Sequence, residues 1–390
     1  MELFKNTHID FLGKKGIFIG LSLVLTGIGL ASWIGKGGLK YGIDFTGGAN
    51  IVARFATKPP VDRIRSVISA KIPGELSVQE VSGENEVIIG TPIKGDVALQ
   101  QETKTITDTL AATFAGAGGK LDLNNATVQS LTDRLRGPLQ QASVALSEQQ
   151  LHDLVKAILD FKNTPPRSGL LTSIDQLNGV AGVTPQVIGV LKQECSLAPF
   201  SIRSAEVVGP KIGAELKTKA ILATLYALAG MLVYLAFRFE FIYGLAAVIA
   251  VFHDVIITLG LFSLFDKEIS LNVVAALLTL VGYSMNDTIV VFDRIRETLR
   301  LARKDLTPQI VNDSINQTLS RTVLTSGLTF ISSVSLLIFG GPVLNGFAFA
   351  LVAGIIVGTY SSIFVASPIL VFWHERMQRR GKAAPAAAAK

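Results

Sequence analysis

Asp287 has the strongest claim to chemistry in this sequence. It closes a stretch, Ile269 to Asn286, that holds no charged residue, and Thr-Ile-Val-Val-Phe follows it. An aspartate at the centre of a membrane helix costs about 2.5–3.5 kcal/mol on insertion scales. A chain that keeps one there uses it. Other polar residues interrupt the apolar background nearby: His253-Asp254 in the run before, Asn286 beside Asp287, and Arg321 at the start of the run after. From Arg321 the residues Thr325, Thr329 and Ser332 recur at helical spacing, so all four share one face. The chemistry such groups suit is proton exchange. An aspartate facing an arginine stays ionised; deprived of it in apolar surroundings, it takes a proton. One charge crossing the membrane potential carries about 2.3 kcal/mol per 100 mV, enough to bias a conformational equilibrium. Depth along the fourth and fifth runs puts Asp287 and Arg321 in the same half of the membrane, so Arg321 is the expected partner. Asp254 is a candidate relay, with His253, Asn286 and Thr325 as supporting polar groups. The plainer readings are an Asp287 that only packs and hydrogen-bonds, a His253 that only hydrogen-bonds, and an Arg321 that only anchors at the interface. Asp293 and Arg294 read as interfacial.

Positioning such groups takes membrane helices, and composition agrees. The 390 residues are 49% hydrophobic and 17% charged, against about 25% charged in soluble domains. Mean hydropathy is +0.46. The single Cys195 excludes an intrachain disulfide and a cysteine metal cluster, and the four histidines lack metal-ligand spacing. No metal or cofactor is expected. With no phosphate-binding loop and no nucleophile–base pair, neither is an enzyme.

Six runs are long enough to span a bilayer: Gly16–Ile34, Lys219–Phe237, Phe241–Phe265, Ile269–Phe292, Thr322–Phe339 and Gly346–Trp373. The first could be a cleaved signal peptide, but it is too long for one and lacks a small-residue cleavage site. Residues 1–15, the Arg238 link, the 293–321 loop and the tail from 374 carry the excess of Lys and Arg. With six spans they fall on one side, which the positive-inside rule assigns to the cytoplasm. The domain plan is then a cytoplasmic 1–15, a first helix at 16–35, an extracytoplasmic 36–217, a five-helix bundle at 218–373, and a cytoplasmic 374–390. Ala383–Ala389 reads as a disordered tail. Gly354-x-x-x-Gly358 with Ser361-Ser362 permits close helix packing in the last run.

Region 36–217 opens with Tyr41–Arg54, expected as a strand interrupted at Gly47-Gly48. A helix from Pro59-Pro60 follows. Strands are expected at Leu76–Val81 and Glu86–Thr91 around a Gly83-Glu84-Asn85 turn, then a helix at Ala98–Phe114 and a last strand at Pro199–Val208. This order, βαββαβ, predicts a ferredoxin-like α+β domain. Residues 119–195 interrupt it as an inserted helical module. Helices are expected from Leu123 on, with Asn or Thr caps, at Leu151–Phe161, and from Ser173. Gly179–Lys192 is expected as helix, tight turn, helix. The pattern resembles helix-hairpin-helix modules, which grip nucleic-acid phosphates in other proteins. Here seven basic and seven acidic residues cancel. A nucleic-acid partner is therefore not expected, and a protein contact or spacer is.

Six stretches carry a wider resemblance: GIDFTGG (Gly42, Asp44, Gly47 and Gly48 its motif residues), VVGPKIGAEL, FRFEF, HDVIITLGLFSLF, VAALLTLVGYSMNDTIVVFDRIRE and SINQTLSRTVLTSGLT. Together they resemble the SecD/SecF family of protein-export membrane proteins, and within it the SecF type. SecD members typically read VDANV…ER where this chain reads NDTIVVFDR. The resemblance spans nearly the whole chain except 119–195. It implies a fold related to resistance-nodulation-division transporters, with Asp287 as the essential intramembrane acid and Arg321 as its arginine. It further implies action with SecD beside the SecY-SecE-SecG channel in the bacterial inner membrane, in contact with lipid and the translocating preprotein, with YajC and YidC as further candidate neighbours. The proton-motive force would drive preprotein movement. The alternatives are half of a small-molecule exporter of the related superfamily, or a scaffold with inert charges.

Overall fold

In the computed structural model, the structure describes residues 7–72, 76–81, 85–91, 96–115, 119–144, 146–238, 241–302 and 305–383. Two compact units divide them: residues 1–42 with 216–390, and residues 43–215. The first unit begins with helix α1 (Lys15–Gly35).

The 43–215 unit is built on a four-stranded sheet. Strand β1 (Gly48–Phe55) is followed by α2 (Val61–Ser69), β2 (Ser77–Glu80), β3 (Glu86–Thr91) and α3 (Asp96–Phe114). The expected strand from Tyr41 does not form before Gly48: Ile43–Thr46 is instead one helical turn with Phe45 buried. Apolar alternation at Ile43 and Phe45 fits a strand or a short turn equally, and the glycines decide. Gly47 and Gly48 take φ of +74° and +149°, where a side chain is strained. A Cβ on Gly48 would stand 2.3 Å from the Thr91 carbonyl oxygen. The chain therefore turns sharply at Gly47-Gly48, and β1 starts against β3.

Residues 119–195 fold around a core of their own. It combines α4 (Val128–Gln141), α5 (Glu148–Asn163) and α6 (Pro185–Glu194), with Leu131, Leu135, Val155, Ile158, Leu177 and Leu191 at its centre. Thr127 and Ser147 close capping boxes with Ser130 and Gln150, worth about 1 kcal/mol each. The expected helix from Leu123 starts five residues later. Asn124 and Asn125 are not caps but ties. The expected helix from Ser173 is a 3-10 turn, Ile174–Gly179, and α6 starts at Pro185 under a Thr184 cap.

The chain returns to the sheet in β4 (Phe200–Val208), giving the antiparallel order β2-β3-β1-β4. Beneath it Ile64 and Ile68 of α2 and Ile106 and Leu110 of α3 pack on Ile51 and Ile89. The module is tied to the outer edge of β4. Asn125 accepts from Ile202 N–H at 2.8 Å and donates to Phe200 O at 3.1 Å. Asn124 bridges Leu171 and the Ala198 carbonyl. Lys162, 6% exposed, donates to Asn124 O at 2.9 Å, and its burial lowers the pKa of its ammonium.

Cys195, 2% exposed, lies in the module core, where burial pushes its thiol up to about 11 from an ordinary 9. The folded module disfavours the thiolate, so this contribution is full below pH 9 and is lost as pH rises from 9 to 11. Maleimide labelling of this single cysteine at pH 8 is expected to be slow and to accelerate only when the module opens. Fast labelling of folded protein would contradict the buried placement.

The helical unit continues with α7 (Pro210–Arg238), α8 (Phe241–Leu264), α9 (Leu271–Ala302), α10 (Pro308–Phe339) and α11 (Gly341–Ser361). A π-helical turn, Ser362–Ala366, joins α11 to α12 (Ser367–Ala383). Among the described residues six helical segments are long and apolar enough to cross a membrane. The expected 293–321 loop is mostly helix. Apolar content ends at Phe292, but an amphipathic pattern continues, with Ile295, Ile310, Val311 and Ile315 buried. Thr307 caps α10 and Pro308 opens it. Hydropathy marks where lipid would end, not where a helix does. Lys5 and the alanine tail beyond Ala383 lie outside the described residues, as do Gly83 and Glu84 of the expected turn.

The segment before α1 is strapped to α10. The Asn316 side chain accepts from Ile9 N–H and donates to Ile9 O; the Asn312 side chain accepts from Phe11 and Leu12 N–H and donates to Asp10. Gly13 N–H and this Asn312 amide hold the Asp10 carboxyl below the usual carboxylate range. Phe11 packs edge-on against Phe364 of the π-turn, and Phe18 stacks on the same ring at 3.7 Å.

Candidate functional site: a buried carboxylate pair

Asp254 on α8 is fully buried and Asp287 on α9 is 4% exposed. Both point into the bundle because their neighbours on α8 and α9, such as Val251 and Val291, form the apolar face that packs there. Hydroxyls surround them. Asp254 Oδ2 accepts from Ser284 of α9 and, at 2.8 Å, from Ser361 at the end of α11. Its Oδ1 is hydrogen-bonded to His253 Nδ1 at 2.9 Å. Asp287 Oδ2 accepts from Ser362, the next residue along, at 2.9 Å. Thr322 of α10 faces the same carboxylate. The expected packing role of the small residues holds locally: a Cβ on Gly358 would stand 3.1 Å from Ser284 Cβ and 3.5 Å from Asp254 Oδ2. Glycine there lets α11 approach near enough for Ser361 to reach.

A π-turn inserts one residue into the helical ladder, and such turns concentrate at functional sites. Here it begins at Ser362. The Ser362 carbonyl accepts from the Ser367 hydroxyl at 2.9 Å. The widened turn presents two consecutive hydroxyls to acids on two different helices. Nearby, Tyr283 of α9 faces Ser326 and Thr322 faces Asp287, and their hydroxyls are buried without a close hydrogen bond among the described residues. Buried groups of this kind call for an explanation.

The expected Asp287–Arg321 pair is not made. Arg321 is exposed, and its neighbour Thr322 turns inward instead. Depth placed the two residues at one level, but direction around a helix changes by about 100° per residue. Thr325 is exposed too, its hydroxyl returning to Arg321 O, and Asn286 is exposed on α9. These three belong to the outer face of the unit, not to the acid cluster. Asp254 and His253 do belong to it. Asp293, exposed, lies 3.8 Å from Arg238. Of the GG motif, Gly42 N–H donates to Ile269 O at 2.9 Å within the helical unit. Asp44, Gly47 and Gly48 form the turn that opens β1. Ser284, Ser361, Ser362 and Thr322 were not foreseen as ligands of the acids. The available signal was partial: Ser284 lies one helical turn before Asp287 and Thr322 follows Arg321, while Ser361 and Ser362 lie in a run without charged residues.

Six apolar helices, four of which bring side chains to two hydroxyl-held acids, define a polytopic membrane protein with ionisable chemistry at its core. Comparison with known proteins narrows the class. Residues 190–376 match the family model of the SecD/SecF protein export membrane protein C-terminal region, and residues 32–58 match the SecD/SecF GG motif. The protein translocase subunit SecF of Koribacter versatilis is 47% identical over 98% of this chain and 96% of its own length. That of Calditerrivibrio nitroreducens is 38% identical over 97% of this chain and 99% of its own. The crystal structure of SecDF, a translocon-associated membrane protein from Thermus thermophilus, superposes with a TM-score of 0.64 at 31% identity. It covers 95% of this chain, which spans only 39% of that longer one. The chain belongs to the SecD/SecF family.

Proposed function

We propose that this chain is the SecF-type subunit of the Sec protein-export machinery, a non-enzymatic partner of SecD beside the SecY-SecE-SecG channel. It uses the proton-motive force to promote preprotein movement across the inner membrane. The observation that carries the reading is the buried pair Asp254–Asp287, hydrogen-bonded through serines and without an ion-paired Lys or Arg among the described residues. Acids so placed exchange protons more readily than they hold a fixed charge.

Arg321, Thr325 and Asn286 support the SecD partnership. An arginine and an asparagine exposed on apolar helices are costly against lipid, and a second helical subunit covers them better. The larger remainder of the SecDF chain is where such a subunit would come from. The sheet order β2-β3-β1-β4, with two helices packed on it, supports a ferredoxin-like reading of the 43–215 unit. The positive-inside rule supports placing that unit in the periplasm and both termini in the cytoplasm.

The test uses inverted membrane vesicles lacking both subunits, resupplied with this chain and its SecD. Preprotein import should become faster with a proton gradient than with the gradient collapsed by an ionophore. Equal rates in both conditions would overturn the reading.

A further inference from the structure

Charge balance in the buried cluster leads beyond either acid alone. The ionisable groups around Asp254 are His253 on its own helix, Tyr360 on α11 and Asp287 on α9. Around Asp287 they are Tyr283 on α9 and Asp254. From α10 the groups that face in are the neutral Thr322 and Ser326, while Arg321 faces out. From α1 it is Ser22, hydrogen-bonded to Tyr360 OH at 3.0 Å. His253 is the one basic side chain paired with either acid among the described residues. Two carboxylates buried together without a fixed cation repel strongly in a medium of low polarity. At least one proton therefore resides in the cluster.

The two acids are also mechanically joined. Ser361 and Ser362, consecutive at the start of the π-turn, donate to Asp254 and Asp287 respectively. Any shift of that turn moves both hydroxyls at once. Phe364 in the same turn is held by Phe18 and Phe11. At the other end, His253 Nε2 is buried and has no hydrogen-bond partner among the described residues, while Nδ1 engages Asp254.

We propose that His253, Asp254 and Asp287 form a single proton-sharing site, with the Ser361–Ser362 step coupling the two carboxyls so that they do not titrate independently. The proposal deepens the proton-coupling reading and rests on it for its role in export. In the exchange, the O–H bond of one carboxylic acid breaks and an O–H bond forms on the other. Total charge in the cluster is unchanged. Each serine hydroxyl donates to its acid when that acid is the carboxylate. When His253 is an imidazolium, its Nδ1–H bond breaks as an O–H bond forms on Asp254 Oδ1, leaving a neutral imidazole and a neutral acid.

Infrared difference spectroscopy of the purified full chain tests this directly, by following the C=O band of protonated carboxyls against pH. Groups that interact strongly titrate as a pair. In Asp254→Asn the midpoint of the Asp287 band is expected to move by about one pH unit or more, a tenfold change in proton affinity. Asp287→Asn should move the Asp254 band comparably. Ser361→Ala with Ser362→Ala should move both bands. His253→Gln lies off Asp287 and keeps both acids; it should still move the Asp287 midpoint, and it decides the matter if Asp254→Asn does not fold. An Asp287 midpoint unaffected by changes at 253, 254 and 361–362 overturns the shared site. The titration needs no export. Independent midpoints with gradient-driven import intact defeat only the shared site, and coupled midpoints with gradient-insensitive import defeat the export reading instead.

Discussion

Import into vesicles carrying Asp287→Asn is expected to run at the ionophore rate whether or not a proton gradient is present. The whole gradient-dependent increment should be lost while the complex with SecD still forms. Asparagine has the shape of aspartate, and its oxygen still accepts from the Ser362 hydroxyl. Its amide N–H can also donate to the Thr322 hydroxyl that faces this position. What it cannot do is take up and release a proton. A single charge moved through 100 mV carries about 2.3 kcal/mol, roughly a fiftyfold bias on a two-state equilibrium. Removing the carrier removes that bias. Asp287→Ala is the poorer probe: it strands the Ser362 hydroxyl in the bundle, at about 1–3 kcal/mol for a buried group without a partner, and mixes instability with lost chemistry. Import and co-isolation measured together check the prediction. A gradient response surviving in Asp287→Asn would remove the acid from the mechanism.

The second large effect is structural. Gly48→Ala should leave the 43–215 unit protease-sensitive at temperatures where the parent resists. At φ +149° an alanine is strained, by about 1–3 kcal/mol. Its Cβ would also meet the Thr91 carbonyl oxygen at 2.3 Å, a backbone atom that cannot swing away. Relief requires β1 to leave β3 at the Ala49–Thr91 pair and β4 at Gly48–Val208. Against a typical domain stability of about 5–15 kcal/mol, the loss is large. Gly189→Ala is the control. It sits inside α6 with nothing within 4 Å of its added methyl, and alanine in a helix favours folding by up to about 1 kcal/mol. Limited proteolysis of the two variants side by side decides; equal resistance would contradict the close approach at Gly48.

What could be read in advance followed from one-dimensional signals. Apolar runs found the six helices, and alternation found Glu86–Thr91 residue for residue. The same signals failed where a third dimension mattered. Depth set Asp287 level with Arg321, but the rotation of α10 put Thr322 inward in its place. The serines stayed invisible as ligands because a hydroxyl costs little in a membrane helix and leaves no mark in a charge count. Ile43 and Phe45 looked like a strand because two alternating residues cannot separate a strand from one helical turn. The asparagines at 124 and 125 looked like caps because side-chain amides serve helix ends and strand edges alike.

Those two asparagines have a consequence for the company the sheet keeps. An exposed edge strand is a template for any extended polypeptide that drifts past, and in the proposed export role this unit would meet many. On β4 the backbone groups of Phe200 and Ile202 are already engaged by the Asn125 amide, and just before the strand the Ala198 carbonyl is engaged by Asn124. The inserted module thus shields the first part of that edge from adventitious strand pairing. Farther along, Glu206 and its neighbours stand exposed, and a charged side chain there discourages the same mistake.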